Sequence, residues 1–289
     1  MLRSFQIAKL FGIPLYLHTT FFLLPLWLLL ANGGAEPAQL LFLLLVLIGV
    51  FACVVLHELG HALMARFFGI GTESITLYPI GGVARLQRMS DKPFEEICIA
   101  LAGPAVNLVL VGLLTPLVFA LVLLSGAPFH PDSILSVGLS GLVFELWAAN
   151  LMLLLFNLLP CFPMDGGRVL RALLSCWKGQ LRATEIAVRV GLAAAFFIAC
   201  LSVPLQSPMP IVLAVFVLFA GQMELLGLRQ RDAQRRAAQL AQPVPEPVEV
   251  IIPNPDAAQP NGAFSGVAWD SRYRVWVQWH NGRPVAYWG

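Results

Sequence analysis

His57-Glu58-Leu59-Gly60-His61 closes an apolar run that starts near residue 39 and carries no charge through residue 56. On a helix the two imidazoles stand four residues apart, so they share a face and can hold one Zn²⁺ between them. Glu58, next to the first of them, is placed to act as a general base on a water at such an ion. Three ionisable side chains at the edge of hydrocarbon are costly unless they find a partner. A metal supplies one.

The surrounding composition makes hydrocarbon the expected setting. Of the 289 residues, 58% are hydrophobic and only 12% are charged, which is outside the range of a soluble globular domain. Apolar runs of spanning length occur at residues 14–31, 39–65, 97–124, 134–159, 184–203 and 209–228. The expected fold is an all-α polytopic membrane protein of about six transmembrane helices. Lys and Arg set its orientation, because cytoplasmic loops carry the positive charge. Arg3 and Lys9 precede the first run; Arg66, Arg85, Arg88 and Lys92 follow the second; Arg168, Arg171, Lys178 and Arg182 follow the fourth; Arg229, Arg231, Arg235 and Arg236 follow the sixth. The loops at 32–38, 125–133 and 204–208 contain none. Both termini, and the His57–His61 end of the second run, are therefore expected on the cytosolic side of the plasma membrane of a prokaryote. The first run keeps its basic flank and has no small-residue cleavage site, so it reads as a retained span. Cys53, Cys98, Cys161, Cys176 and Cys200 show no paired spacing, and no disulfide is expected.

A zinc site of this type needs a third protein ligand and an open position for water. The fourth run ends in Asn157-Leu158-Leu159-Pro160-Cys161-Phe162-Pro163-Met164-Asp165-Gly166-Gly167. Its prolines break the helix and free backbone groups at membrane depth, which is tolerated where the backbone lines a polar cavity. Asp165 before two glycines reads by itself as a turn residue. Beside the histidine pair it becomes the candidate third ligand, while Cys161 reads as a small apolar filler.

These two motifs, two runs apart, resemble those of the site-2 proteases, the intramembrane zinc metalloproteases. The resemblance covers about residues 5–228 and includes Gly12-Ile13-Pro14, Pro79-Ile80-Gly81-Gly82 and Gly103-Pro104-Ala105-Val106-Asn107. It implies His57, His61 and Asp165 as ligands of one zinc per chain, Glu58 as catalytic base, and Asn157 as a polar group near the scissile peptide. It also implies a membrane-protein substrate, cleaved in a transmembrane segment near the cytosolic side. A substrate helix hides its carbonyls in its own hydrogen bonds and must unwind before attack. Between the second and third runs, Ile75-Thr76-Leu77-Tyr78, then Pro79, then Gly81-Gly82-Val83-Ala84 reads as a small β-hairpin. Its edge, with Gly81 and Gly82, is expected to pair with unwound substrate by strand addition. Asn150 and Asn157, seven apart, share a helix face and can both point at the site, although asparagine in a span serves as often as glue between helices, and Asn107 reads the same way. His18 reads as an interfacial residue, Glu224 as interfacial, and Glu145 has no evident partner.

After residue 228 the composition changes. Three parts are expected: a membrane domain at 1–228, a polar helical extension with a Pro-rich linker at 229–260, and a small β module at 261–289. In the last part aromatic and polar residues alternate around an Asn281-Gly282 turn signal, giving three short strands. That module is similar to the three-stranded sheet of AP2-type DNA-binding domains, through Gly266-Val267-Ala268-Trp269-Asp270 and Trp279-His280-Asn281-Gly282. A docking or substrate-selecting role is expected for it in preference to nucleic-acid binding. A transporter or metal-handling membrane protein is the competing reading of the chain. A transport site, however, has little use for a non-liganding carboxylate beside two ligating histidines. The orientation is testable by thiol labelling: cysteines introduced at 33–38 or 127–133 should react only from outside, and at Gln87 or Gln180 only from the cytosol. The reverse pattern would move the site to the other face.

Overall fold

The computed structural model describes residues 4–88, 90, 92–125, 138–200, 202–204, 206–240, 264–270 and 274–288. The expected outer loop with His130, the first residues of the fourth run and the Pro-rich linker lie outside them. Two compact units divide the chain, Met1–Ala233 and Gln234–Gly289.

The first unit opens with a hairpin of β1 (Ser4–Leu10) and β2 (Ile13–His18). A 3-10 turn at Thr19–Phe22 and helix α1 (Leu23–Ala31) follow. The first apolar run is thus a strand, a turn and a short helix, where a single span was expected. Its first residues alternate in burial and find a strand partner, which a membrane-spanning helix would forgo. His18 belongs to this junction: its Nδ1 lies 2.7 Å from the Thr20 hydroxyl and its ring stands 4.9 Å from that of Tyr78.

Helix α2 (Pro37–Phe67) starts with proline at its first turn, where no donor is lost. It is followed by β3 (Thr72–Tyr78), β4 (Gly81–Leu86) and α3 (Pro93–Ser125). Then come α4 (Leu139–Asn157), α5 (Asp165–Lys178), α6 (Gln180–Cys200) and α7 (Met209–Leu240). Among the described residues five helices are long and apolar enough to cross a membrane, within α2, α3, α4, α6 and α7. The expected hairpin between the second and third runs is half of a four-stranded sheet. Strand order is β1-β2-β3-β4, with β2 and β3 parallel and Leu15 opposite Ile75. One face of that sheet packs on α2: Ile13, Leu15, Ile75 and Leu77 close a core with Val54, Val55, Leu59 and Ala62.

Burial is inverted relative to a soluble protein. Leu41, Leu45, Ile48, Leu113 and Phe219 are exposed, while His57, His61, Asn107, Asn150, Asp165 and Thr184 are buried. Such a pattern suits a molecule whose solvent is lipid and whose polar groups must find partners inside. Helix α3 packs against α2, α4 and α5 and is therefore the common neighbour of both halves of the sequence motif.

One buried ionic cluster fastens α5. Arg171 donates from Nε to Glu96 of α3 at 2.9 Å and from Nη1 to Glu224 of α7 at 2.7 Å, and its Nη2 pairs with Glu96 as well. Glu224, expected to be merely interfacial, thus holds the other end of a buried arginine. Glu145 of α4 has no hydrogen-bond or ion-pair partner among the described residues.

The second unit carries β5 (Gly266–Asp270), β6 (Val275–His280) and β7 (Arg283–Trp288) in an antiparallel sheet of that order. Asn281 and Gly282 both adopt positive φ, 48° and 75°, the pattern of a type I′ turn. Val277 is buried, and the Trp269 and Trp276 rings stand 5.3 Å apart across the first strand pair.

The Arg171 cluster yields a stability prediction. Arg171→Ala strands Glu96 in a buried position and should destabilise the fold by about 3–5 kcal/mol. Combining Arg171→Met with Glu96→Gln and Glu224→Gln should restore much of the loss, measured as thermal unfolding in detergent.

Candidate metal centre

Helix α2 presents His57 and His61 from one face, as their spacing requires. Each ring is held by its Nδ1. His61 Nδ1 lies 2.7 Å from the Ile99 carbonyl, which can only accept, so this nitrogen carries the proton. His57 Nδ1 lies 2.8 Å from Asn107 Oδ1. Asn107 is fixed in turn: its amide donates to Asn150 Oδ1 at 3.4 Å, and Asn150 donates to the Leu146 carbonyl at 2.7 Å. With both Nδ1 atoms donating, the neutral imidazoles leave bare lone pairs on Nε2.

Those lone pairs face each other and one carboxylate oxygen. His57 Nε2 and His61 Nε2 are 3.1 Å apart, and each is 3.2 Å from Asp165 Oδ2. With both rings neutral and protonated at Nδ1, three acceptors converge. Among the described residues, no group donates a hydrogen bond to the buried Asp165 Oδ2. Such a cluster is repulsive unless a cation sits in it. A tetrahedral zinc with ligands at about 2.0–2.1 Å holds its ligand atoms about 3.3–3.4 Å apart, close to the spacing here. The residues fit zinc, and they form a His57, His61, Asp165 group able to hold a metal ion.

Two glycines permit the convergence. A Cβ at Gly103 of α3 would run into the His61 imidazole and would meet His57 Cε1 at 2.8 Å, so a bare backbone wall lets the rings turn inward. On the other side β4 runs against Glu58. A Cβ at Gly82 would meet Glu58 Cγ at 2.7 Å, and the Ala84 N–H donates to Glu58 Oε2 at 3.1 Å. Asp165 arrives at the first turn of α5, after a Pro-interrupted link that includes a cis Phe162–Pro163 peptide.

His57, Glu58, His61, Asp165 and Gly82 are thus brought together. Gly81 sits one residue further out, at the β3–β4 turn. Asn157 is not tied to the triad; its amide donates to the Leu153 carbonyl of its own helix at 3.0 Å. Asn150 faces Asn107 and Cys53, so the expectation that both asparagines point at the site holds for neither directly. Cys161 is fully buried among Ala195, Ala214 and Val217, and it lies outside the ligand group. Asn107, which the sequence leaves open between facing the site and gluing helices, does both through His57 and Asn150, and its four-residue spacing from Gly103 puts the two on one face of α3.

Comparison with known proteins gives the family. The model of peptidase family M50 matches residues 45–134 and 127–198, more than half of the chain and both halves of the site. The chain belongs to peptidase family M50. Its fold is that of a solved family structure, the site-2 protease from Methanocaldococcus jannaschii. That likeness has a TM-score of 0.55 at 33% identity, covering 77% of this chain and 95% of the other. A curated zinc metalloprotease of the same organism is 36% identical over 223 residues, 76% of this chain and 60% of its own length. Stage IV sporulation protein FB of Bacillus subtilis is 31% identical over 189 residues, 63% of this chain and 57% of its own length. The chain therefore spans less than two thirds of either curated relative. Like the M50 fold it shares, it is an integral membrane protein.

The anchoring of His57 can be measured without any turnover. Asn107→Ala removes the acceptor of the His57 Nδ1 proton and should weaken zinc binding about 10–100-fold. Asn157→Ala, whose amide bonds only to its own helix, should leave the affinity close to wild type in the same chelator competition.

Proposed function

We propose that this chain is a zinc-dependent endopeptidase that cleaves transmembrane segments of membrane-protein substrates inside the bilayer, near its cytosolic side. The observation that carries the reading is the convergence of His57 Nε2, His61 Nε2 and the orphaned Asp165 Oδ2, with the Glu58 carboxylate adjacent but outside the ligand set. His57, His61 and Asp165 would hold one zinc per chain. Zinc, when bound, supplies Lewis-acid chemistry, acidifying a water and polarising a carbonyl.

The remaining work falls to the protein. Glu58 accepts a proton from the attacking water and delivers it to the leaving amine, a role worth about 10²–10⁴ in rate. The Ile99 carbonyl and Asn107 keep the Nε2 lone pairs aimed at the ion. Substrate, once unwound, lies along β4 as an added strand, with Gly81 and Gly82 leaving room for its backbone. Asn157 is assigned to the neighbourhood of the scissile peptide. The basic loops support cytosolic termini in the plasma membrane of a prokaryote. Residues 1–228 act as the protease domain, and 229–260 tether the β module at 261–289, which selects or docks substrate.

Glu58 is also what separates this reading from transport, since an ion carrier needs no free carboxylate there. Glu58→Gln should abolish cleavage of a model transmembrane substrate while retaining about one zinc per chain. Asp165→Asn should lose both zinc and turnover, because a neutral amide is a poorer donor and does not offset the metal's charge. An Asp165→Asn protein with zinc content and cleavage close to wild type would remove Asp165 from the site, because asparagine serves a turn as well as aspartate does.

A further inference from the structure

Strand β4 is an edge strand, and among the described residues no further strand pairs with the backbone groups on its outer side. Which residues offer them follows from one bond. The Gln87 N–H donates inward, to the Gly71 carbonyl at 2.9 Å. Backbone groups alternate sides along a strand, so Val83 and Arg85 also point toward β3, while Gly82, Ala84 and Leu86 point outward. The irregularity in the β3–β4 ladder falls between Thr72 and Ser74, on β3, and leaves the alternation of β4 unbroken. Of the outward groups, the Ala84 N–H is occupied: it donates to Glu58 Oε2. The residue assigned as general base therefore also caps the strand edge assigned to substrate.

We propose that Glu58 and an incoming substrate strand compete for the Ala84 N–H, so that seating of the strand releases the base. The inference rests on the strand-addition reading above and adds a gate to it. An extended segment adding to β4 pairs with the outward groups of residues 82, 84 and 86, and its carbonyl takes the Ala84 N–H. Glu58 Oε2 then loses its donor and is free to accept a water proton. Gly82 makes the exchange local: a side chain there would meet Glu58 Cγ at 2.7 Å and Val54 at 3.1 Å, so the strand can lie directly on the carboxylate stem. Before substrate arrives the base is held by the same group that later holds substrate. The occupant is an extended, apolar polypeptide backbone, read by its hydrogen-bonding edge.

The test uses the full chain in detergent micelles, loaded with zinc, as Glu58→Gln and Glu58→Ala variants that cannot cleave. The probe is a labelled apolar peptide of about ten residues without a metal-chelating group. Glutamine keeps an oxygen that can accept from Ala84, and alanine does not. Glu58→Ala should therefore bind the peptide about three- to tenfold more tightly than Glu58→Gln, the value of one net hydrogen bond. Ala84→Pro removes the contested donor, with a residue that edge strands tolerate where the N–H faces outward. In that background the two Glu58 variants should bind alike. Equal or weaker binding by Glu58→Ala, or a gap that persists with Ala84→Pro, overturns the gate. N-methylation of successive peptide bonds separates the underlying reading: strand addition requires losses that recur at every second residue. Losses without that period reject strand addition itself, whereas a period of two with no gap between the variants rejects only the gate.

Discussion

Two imidazole Nε2 atoms and one carboxylate oxygen lie within 3.2 Å of each other in a buried cluster, and with both rings neutral all three are acceptors. Without a cation this would be among the least favourable arrangements a protein interior could hold. Much of the surrounding architecture serves to maintain it. Helix α2 sets the two rings on one face, and α3 contributes both the Ile99 carbonyl and Asn107, which remove the only freedom the rings retain. Helix α5 brings the counter-charge. Its own position is held by Arg171, clamped between Glu96 and Glu224.

The membrane setting explains why so much of this polar apparatus is interior. Lipid offers no hydrogen bonds, so Asn107 donates to Asn150 and Asn150 donates to the Leu146 carbonyl of its own helix, while leucine and phenylalanine fill the outer surface. The same constraint accounts for the glycine at 103, since polar side chains can meet between helices only where backbones approach closely. A buried arginine cluster is weak evidence for stability by itself. Here it ties the third, fifth and seventh helices at the level of the helix that carries Asp165.

The sheet beside the metal centre joins two stretches of sequence, 4–18 and 72–86, that α2 separates. Parallel pairing of β2 with β3 brings the N-terminal hairpin against the hairpin that follows α2, and the shared face of both packs on the helix of the histidines. A lone two-stranded hairpin would be marginal. Four strands on an apolar helix face make a platform firm enough to present an edge, and that edge meets Glu58 through a backbone N–H.

Much of the site could be read in the residues themselves. The period of the helix places His57 over His61, hydropathy places both near the end of a span, and the break at Pro160 and Pro163 marks where the chain can return an acid to them. The Asn281-Gly282 turn and its flanking strands were equally legible, because positive φ at two successive residues is a local demand. Other features required the folded chain. Residues 14–31 have enough apolar character for a span, and the strand partner at 75–77 decides that the first of them extend in place of coiling. Glu96, Arg171 and Glu224 are 75 and 53 residues apart along the chain, so nothing local relates them. The bond from Ala84 to Glu58 crosses 26 residues and depends on a strand lying flat on a helix. Local sequence determined which side chains could bind a metal and where helices and turns would form. Tertiary packing decided which lone pairs were left without protons, because a ring nitrogen is freed only by the acceptor that captures its neighbour's hydrogen.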